Sequence, residues 1–193
     1  MLESPKSYSF VLTNELGEKT YGNCLNFYEY PPKEFLNLIP QMKTTDIKFA
    51  APKSICILSK YGFSNSFREI LKQLYRLHVS KLDYPIERIV CNFMDEIPIP
   101  DKGKNLIEYE IGEKLIQFYR PINEYPPYTE RENYEYLFSS LKIDTIFSIY
   151  IYLLLERKIL IMSKRRGLLS HISFALVSLL FPFQWSHVFI PVI

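Results

Sequence analysis

Three consecutive cations, Lys164, Arg165 and Arg166, followed by Gly167, are the residues whose types and spacing best suit the holding of another group. They follow an apolar run read as a strand and precede one read as a helix, and open α/β sheets tend to place ligands at such a step. A helix N-terminus with three cations has the chemistry to bind phosphate or an acidic protein surface. The plainer alternative is a solvated turn. An acidic partner or anionic lipid headgroups fit better than a nucleotide, because the glycines a backbone cradle needs are missing. His78, His171 and His187 fall on different elements with no metal-like spacing and read as structural histidines. Cys24, Cys56 and Cys91 include no C-x-x-C pair, so zinc and thioredoxin-type chemistry find no support. They read as three reduced cysteines packed in a cytosolic core. Asp95-Glu96 reads as a solvated loop face. No G-x-S-x-G, G-x-G-x-x-G, P-loop or H-E-x-x-H pattern occurs. The expectation is therefore no catalytic residue, no metal and no cofactor, in a protein that works by binding.

Composition agrees with a binding protein of ordinary globular character. A hydrophobic share of 48% is enough for a sizeable core, and 16% aromatics predict a core built around rings. The formal net charge of +2 gives no reason to expect a nucleic-acid partner. Residues 1–6 hold Glu3 and Pro5 and no apolar stretch, so no signal peptide is expected there. From Gly167 onward there is no Asp, Glu, Lys or Arg, a stretch long enough to span a bilayer. His171, Pro182, Gln184 and His187 interrupt it, and a helix followed by a buried strand explains it better.

The elements that would position these residues can be read in order. Apolar β-branched and aromatic runs predict strands at Tyr8–Leu12, Tyr21–Tyr28 and Ser54–Leu58, with Gly17 free to take a positive φ between the first two. Pro31, Pro32, Pro40 and Pro52 predict a loop with at most a short helix over Glu34–Leu38. Ser66-Phe67-Arg68-Glu69 fits a capping box, and Phe67, Ile70, Leu71, Leu74 and Tyr75 then form one apolar stripe. Tyr61 and Phe63 just before it suit core packing or an interface. A second helix is predicted over Pro85–Met94 with Ile86, Ile89, Val90 and Phe93 inward, then a hairpin of Leu106–Ile111 and Leu115–Tyr119 around Gly112. Pro121, Pro126 and Pro127 mark a linker, and Tyr125-Pro126-Pro127-Tyr128 is a weak proline-rich ligand signal. Beyond it, Asp144 is expected to cap a helix with Ile146, Ile149, Tyr150 and Leu153 inward. A strand at Lys158–Met162, a helix at Leu168–Phe181 and a strand at His187–Val192 complete a βαβ pattern. The apolar strands imply cover on both faces, and since the chain stops inside the last of them, the second unit is expected to be incomplete here.

Several stretches carry a family resemblance. Leu153-Leu154-Leu155-Glu156-Arg157-Lys158-Ile159-Leu160-Ile161-Met162-Ser163 and Phe181-Pro182-Phe183-Gln184-Trp185-Ser186-His187-Val188-Phe189-Ile190-Pro191-Val192 resemble the central region of the DENN domain family. Phe10-Val11-Leu12-Thr13, Tyr21-Gly22, the step from Pro52 to Ser59 and on into Phe67–Leu77, and Asp95-Glu96-Ile97-Pro98-Ile99-Pro100 resemble its upstream part. The resemblance implies an α/β fold. In it an α+β longin-like lobe (1–120, a mixed sheet flanked by helices) leads through a linker (121–133) to the first βαβ of a Rossmann-like lobe (134–193). It also implies a cytoplasmic regulatory module of a guanine-nucleotide exchange factor for Rab-type small GTPases, binding the GTPase and promoting GDP release. Peripheral recruitment to a membrane and completion by a C-terminal DENN lobe belong to the same implication, as does inactivity without that lobe. The alternative is a longin-type scaffold in membrane trafficking without exchange activity. No GTPase-contact residue is carried over from the family; Lys164, Arg165 and Arg166 are the partner-binding candidates. Trp185 is expected in the core of the second lobe, with Trp185→Ala costing about 3–5 kcal/mol.

Overall fold

The early apolar runs do become strands: β1 (Lys6–Thr13), β2 (Lys19–Glu29) and β3 (Ala51–Ser59) form one sheet in that order. The structure is a computed structural model that describes residues 4–31, 50–80, 85–122 and 131–192. Both strand pairings are antiparallel, so the expected mixed sheet is not what forms among these residues. The first hairpin turns where predicted. The Asn14 side-chain oxygen accepts from the amides of Leu16 and Glu18, and Gly17 takes φ 81°, a conformation in which other side chains are strained. The expected helix over Glu34–Leu38 and the Tyr125–Tyr128 motif lie outside the described residues.

The cysteines are not three reduced core thiols as expected. Cys24 and Cys56 stand directly opposite each other on β2 and β3, with Cα atoms 4.3 Å apart, and are joined as a disulfide. Cys91 is free but exposed. Sequence spacing says nothing about a pairing of this kind, because strand register creates it.

α1 (Ser64–Val79) crosses the sheet and meets a separate antiparallel hairpin, β4 (Leu106–Ile111) and β5 (Lys114–Tyr119), whose turn places Gly112 at φ 62°. Phe63, Phe67, Ile70 and Leu74 pack there against Ile111, Ile116 and Phe118 to form the first core. Phe63 meets Phe67 and Phe118 edge-on, which settles Phe63 as a core residue. The half-buried Tyr61 carries the Arg120 guanidinium 4.6 Å above its ring. α2 (Ile86–Glu96) adds Ile86, Ile89 and Phe93 to the same cluster, while Val90 faces outward.

The capping box does not form. The helix starts at Ser64, three residues early, so Ser66 falls within the first turn and donates its hydroxyl to the carbonyl of Gln117 on β5. Glu69 likewise turns to Lys72 and Lys114, each at 2.7 Å. Burial pushes its carboxyl up, but the two ammonium groups outweigh that and hold it at about 2.

α3 (Arg131–Ser140) includes the last residues, 131–133, of the expected 121–133 linker. α4 (Ile143–Leu154) follows after a sharp bend, with Lys142 rather than Asp144 at its N-cap. α5 (Arg166–Ser178) then packs against α3. Leu137, Ile146, Leu153, Ile172, Ala175, Leu176 and Leu180 form the second core, with Ile149 and Tyr150 beside it as expected. Among the described residues no single helix is long and apolar enough to cross a membrane; α3 and α4 together have the composition but bend by 114°.

The α/β class holds, but the βαβ ladder does not form among the described residues. Segments 158–162 and 187–192 flank α5 without pairing as strands. Ile159 and Ile161 face the second core while Leu160 and Met162 are 77% and 85% exposed. Val188 and Ile190 are likewise exposed, and both segments line a cleft of about 350 Å³. Trp185 is correspondingly half-buried on the flank of the second core, donating its indole N–H to the Val188 carbonyl at 3.3 Å. Trp185→Ala should therefore cost about 1–2 kcal/mol in chemical denaturation, not the full core value; a loss above 3 would restore the core assignment.

Candidate functional site

The two units meet along a seam made by α5 and the outer edge of β1. Ser170 is buried and its hydroxyl does the work of a neighbouring strand: it accepts from the Ser9 amide at 3.1 Å and donates to the Ser9 carbonyl at 2.8 Å. One turn earlier, Gly167 lies so close that an added Cβ would stand 2.7 Å from the backbone oxygen of Ser7. Helix propensity alone predicts that Gly167→Ala stabilises by up to about 1 kcal/mol. The contact predicts the opposite sign, a loss of about 1–3 kcal/mol, because main chain cannot yield as a side chain does. A melting temperature that rises on this substitution would refute the seam as drawn.

Beside the seam lies a partly buried polar cluster. Arg68 on α1 is 12% exposed; it donates to Glu132 on α3 at 2.5 Å, to Asn65, and to His171 Nε2 at 3.0 Å. A guanidinium can only donate, so Nε2 accepts and Nδ1 carries the proton, which it gives to Asn133 Oδ1 at 2.5 Å. The imidazole stacks on Tyr136 with ring centres 4.5 Å apart. Burial, with the Arg68 charge adding to it, holds His171 down at about 4, so the ring is neutral at pH 7. His78 and His187 have carboxylate neighbours, Glu29 at 3.4 Å and Glu156 at 3.1 Å, and so all three histidines have partners.

This seam floors a broad open cleft of about 1440 Å³ between the units. β1 contributes Tyr8, α1 contributes Arg68 and Lys72, α3 contributes Glu132 and Tyr136, and the start of α5 contributes Lys164, Arg165 and Arg166. The three cations are thus brought to one rim, all exposed. Arg166 lies 5.9 Å from the Tyr8 ring, and Arg165 is the helix N-cap with no side-chain capping bond. The nearby acids are already engaged: Glu132 with Arg68, Glu135 with Arg131, Glu69 with its two lysines. Lys164 and Arg165 have no acidic partner among the described residues, so their charge faces the cleft uncompensated. No group of three His, Cys, Asp or Glu suited to a metal ion occurs among the described residues. Arg68, Asn133 and Ser170 escaped the reading of the sequence. A signal was present in the stripe Gly167, Ser170 and His171, small and polar residues at i, i+3 and i+4 on a mostly apolar helix, which marks a face pressed on main chain.

Comparison of the sequence with known proteins matches it to one family. The family model described as DENN (AEX-3) domain matches residues 50–193, and that of the uDENN domain matches residues 2–27. The chain belongs to the DENN domain family. It is 31% identical over 194 residues to DENN domain-containing protein 2A of Mus musculus, a match covering 97% of this chain and 17% of that protein. It is 29% identical over 196 residues to DENN domain-containing protein 2B of Homo sapiens (98% and 15%). It is 26% identical over 191 residues to DENN domain and WD repeat-containing protein SCD1 of Arabidopsis thaliana (98% and 16%). The chain thus spans about one-sixth of the length of these relatives.

Proposed function

We propose that this chain is a partner-binding part of a guanine-nucleotide exchange factor for Rab-type small GTPases. It would act by binding the GTPase and promoting GDP release, with no bond made or broken by the chain itself. The observation that carries the reading is the DENN domain match over residues 50–193, and the open cleft at the junction of the two units supports it. Exchange of this kind is differential binding. A surface that holds the nucleotide-free GTPase more tightly than the loaded form lowers the barrier to release, and needs no nucleophile or metal. Lys164 and Arg165 would steer an acidic face of the partner toward the cleft. The reading locates the protein in the cytoplasm, at membranes only peripherally. With Cys24 and Cys56 bonded, that placement draws nothing from reduced cysteines and rests on the family alone.

The test is release of fluorescent GDP from a panel of Rab-type GTPases, by this chain alone and grafted in place of the matching stretch of mouse DENN domain-containing protein 2A. Acceleration by either form supports exchange. Stable binding without acceleration favours a scaffold, and neither binding nor acceleration overturns the proposal. The double variant Lys164→Glu, Arg165→Glu should lower the association rate about tenfold at low salt, with the difference shrinking as salt is raised. An unchanged rate would remove these residues from the contact.

A further inference from the structure

Asn23 stands mid-strand on β2 with 1% of its surface exposed. Its Oδ1 accepts the Ser9 hydroxyl at 2.6 Å, but Nδ2 is buried with no hydrogen-bond partner among the described residues. Turning the amide over only exchanges the two atoms and leaves the oxygen orphaned instead. Buried polar groups left in that condition are rare in folded proteins, because water is lost and nothing replaces it. Asn23 also lines a small cavity at the seam, walled by Ser9 of β1, Arg68 of α1, and Ser170 and His171 of α5. The cavity has about 10 Å³ of room for the centre of a water-sized sphere. One water needs about 10–15 Å³ and two to four polar partners.

We infer that this cavity is a hydration site holding a single buried water, bound by Asn23 and shared among β1, α1 and α5. Water fits in chemistry as well as size. It accepts from the Asn23 amide and still has protons to give, whereas the surroundings already include a guanidinium that only donates. The site lies beneath the seam and does not depend on any GTPase being the partner.

Diffraction from crystals of this chain to about 1.5 Å should show one ordered peak within about 3.2 Å of the Asn23 amide atom that Ser9 leaves free. In solution, the Asn23 side-chain amide protons should cross-relax with water with the sign of a long-lived buried molecule. The inference is overturned by an empty cavity, by an amide bonded directly to a protein atom, or by a peak with the anomalous signal of a chloride ion. Cross-relaxation with the sign of fast-exchanging surface water would overturn it equally.

Discussion

Leu137→Ala should cost about 3–5 kcal/mol of unfolding free energy, the largest single-residue loss expected in this protein. Leu137 has no exposed surface and sits on α3 among Ile146 and Leu153 of α4 and Ile172, Ala175 and Leu176 of α5. Removing its isobutyl group takes contacts from three helices at once. The cavity would be enclosed by side chains that are themselves held, so collapse into it is limited. Urea or guanidinium denaturation measures the loss directly. A change below about 1 kcal/mol would mean that α3 is a surface attachment and not a wall of the second core. The result also bears on where the second unit begins, since α3 starts at Arg131, inside the stretch that prolines made look like a linker.

Stability should also fall by up to about 3 kcal/mol as the pH is lowered from 6.5 to 4, because of His171. Its folded value lies near 4 against an ordinary 6.5. Between those limits the unfolded chain binds a proton that the folded chain refuses, so unfolding gains as pH drops. Every neighbour works in a known direction: burial, Arg68 and Lys72 oppose the charge, and only Glu132 favours it. His171→Gln keeps polar atoms in the site without a titrating ring and should flatten the slope in that window. An equal slope in the variant would place the proton elsewhere. Below about pH 4.5 Glu69 adds a further loss, since its folded carboxyl is held at about 2 and its pairs with Lys72 and Lys114 fail as it protonates.

Local pattern was sufficient for the five strands that form, both hairpins and the apolar stripe of α1, since alternation, Gly17 and Gly112 each act within a few residues. It was insufficient wherever a side chain answers to something distant. Ser66 and Glu69 looked like a cap because their spacing permits one, yet β5 competes for both side chains. Cys24 and Cys56 are paired by register. Arg68 and His171 are 103 positions apart and meet because α1 and α5 pack on the same sheet. Segments 158–162 and 187–192 have the composition of strands, but a ladder needs cover that composition alone does not supply. Of the candidate site, the cations were legible and the cleft they face was not, because it exists only once the two units are placed.

The seam between Ser9 and Ser170 has a consequence for how this protein can vary. On the β1 side the contact is made by main chain, the amide and carbonyl of Ser9 and the carbonyl of Ser7, which every residue type except proline supplies. On the α5 side it is made by one hydroxyl and by the absence of any side chain at Gly167. Mutational tolerance across the junction should therefore be lopsided. β1 can change its outward residues and keep its neighbour, while α5 has two positions at which most substitutions would let the units drift apart.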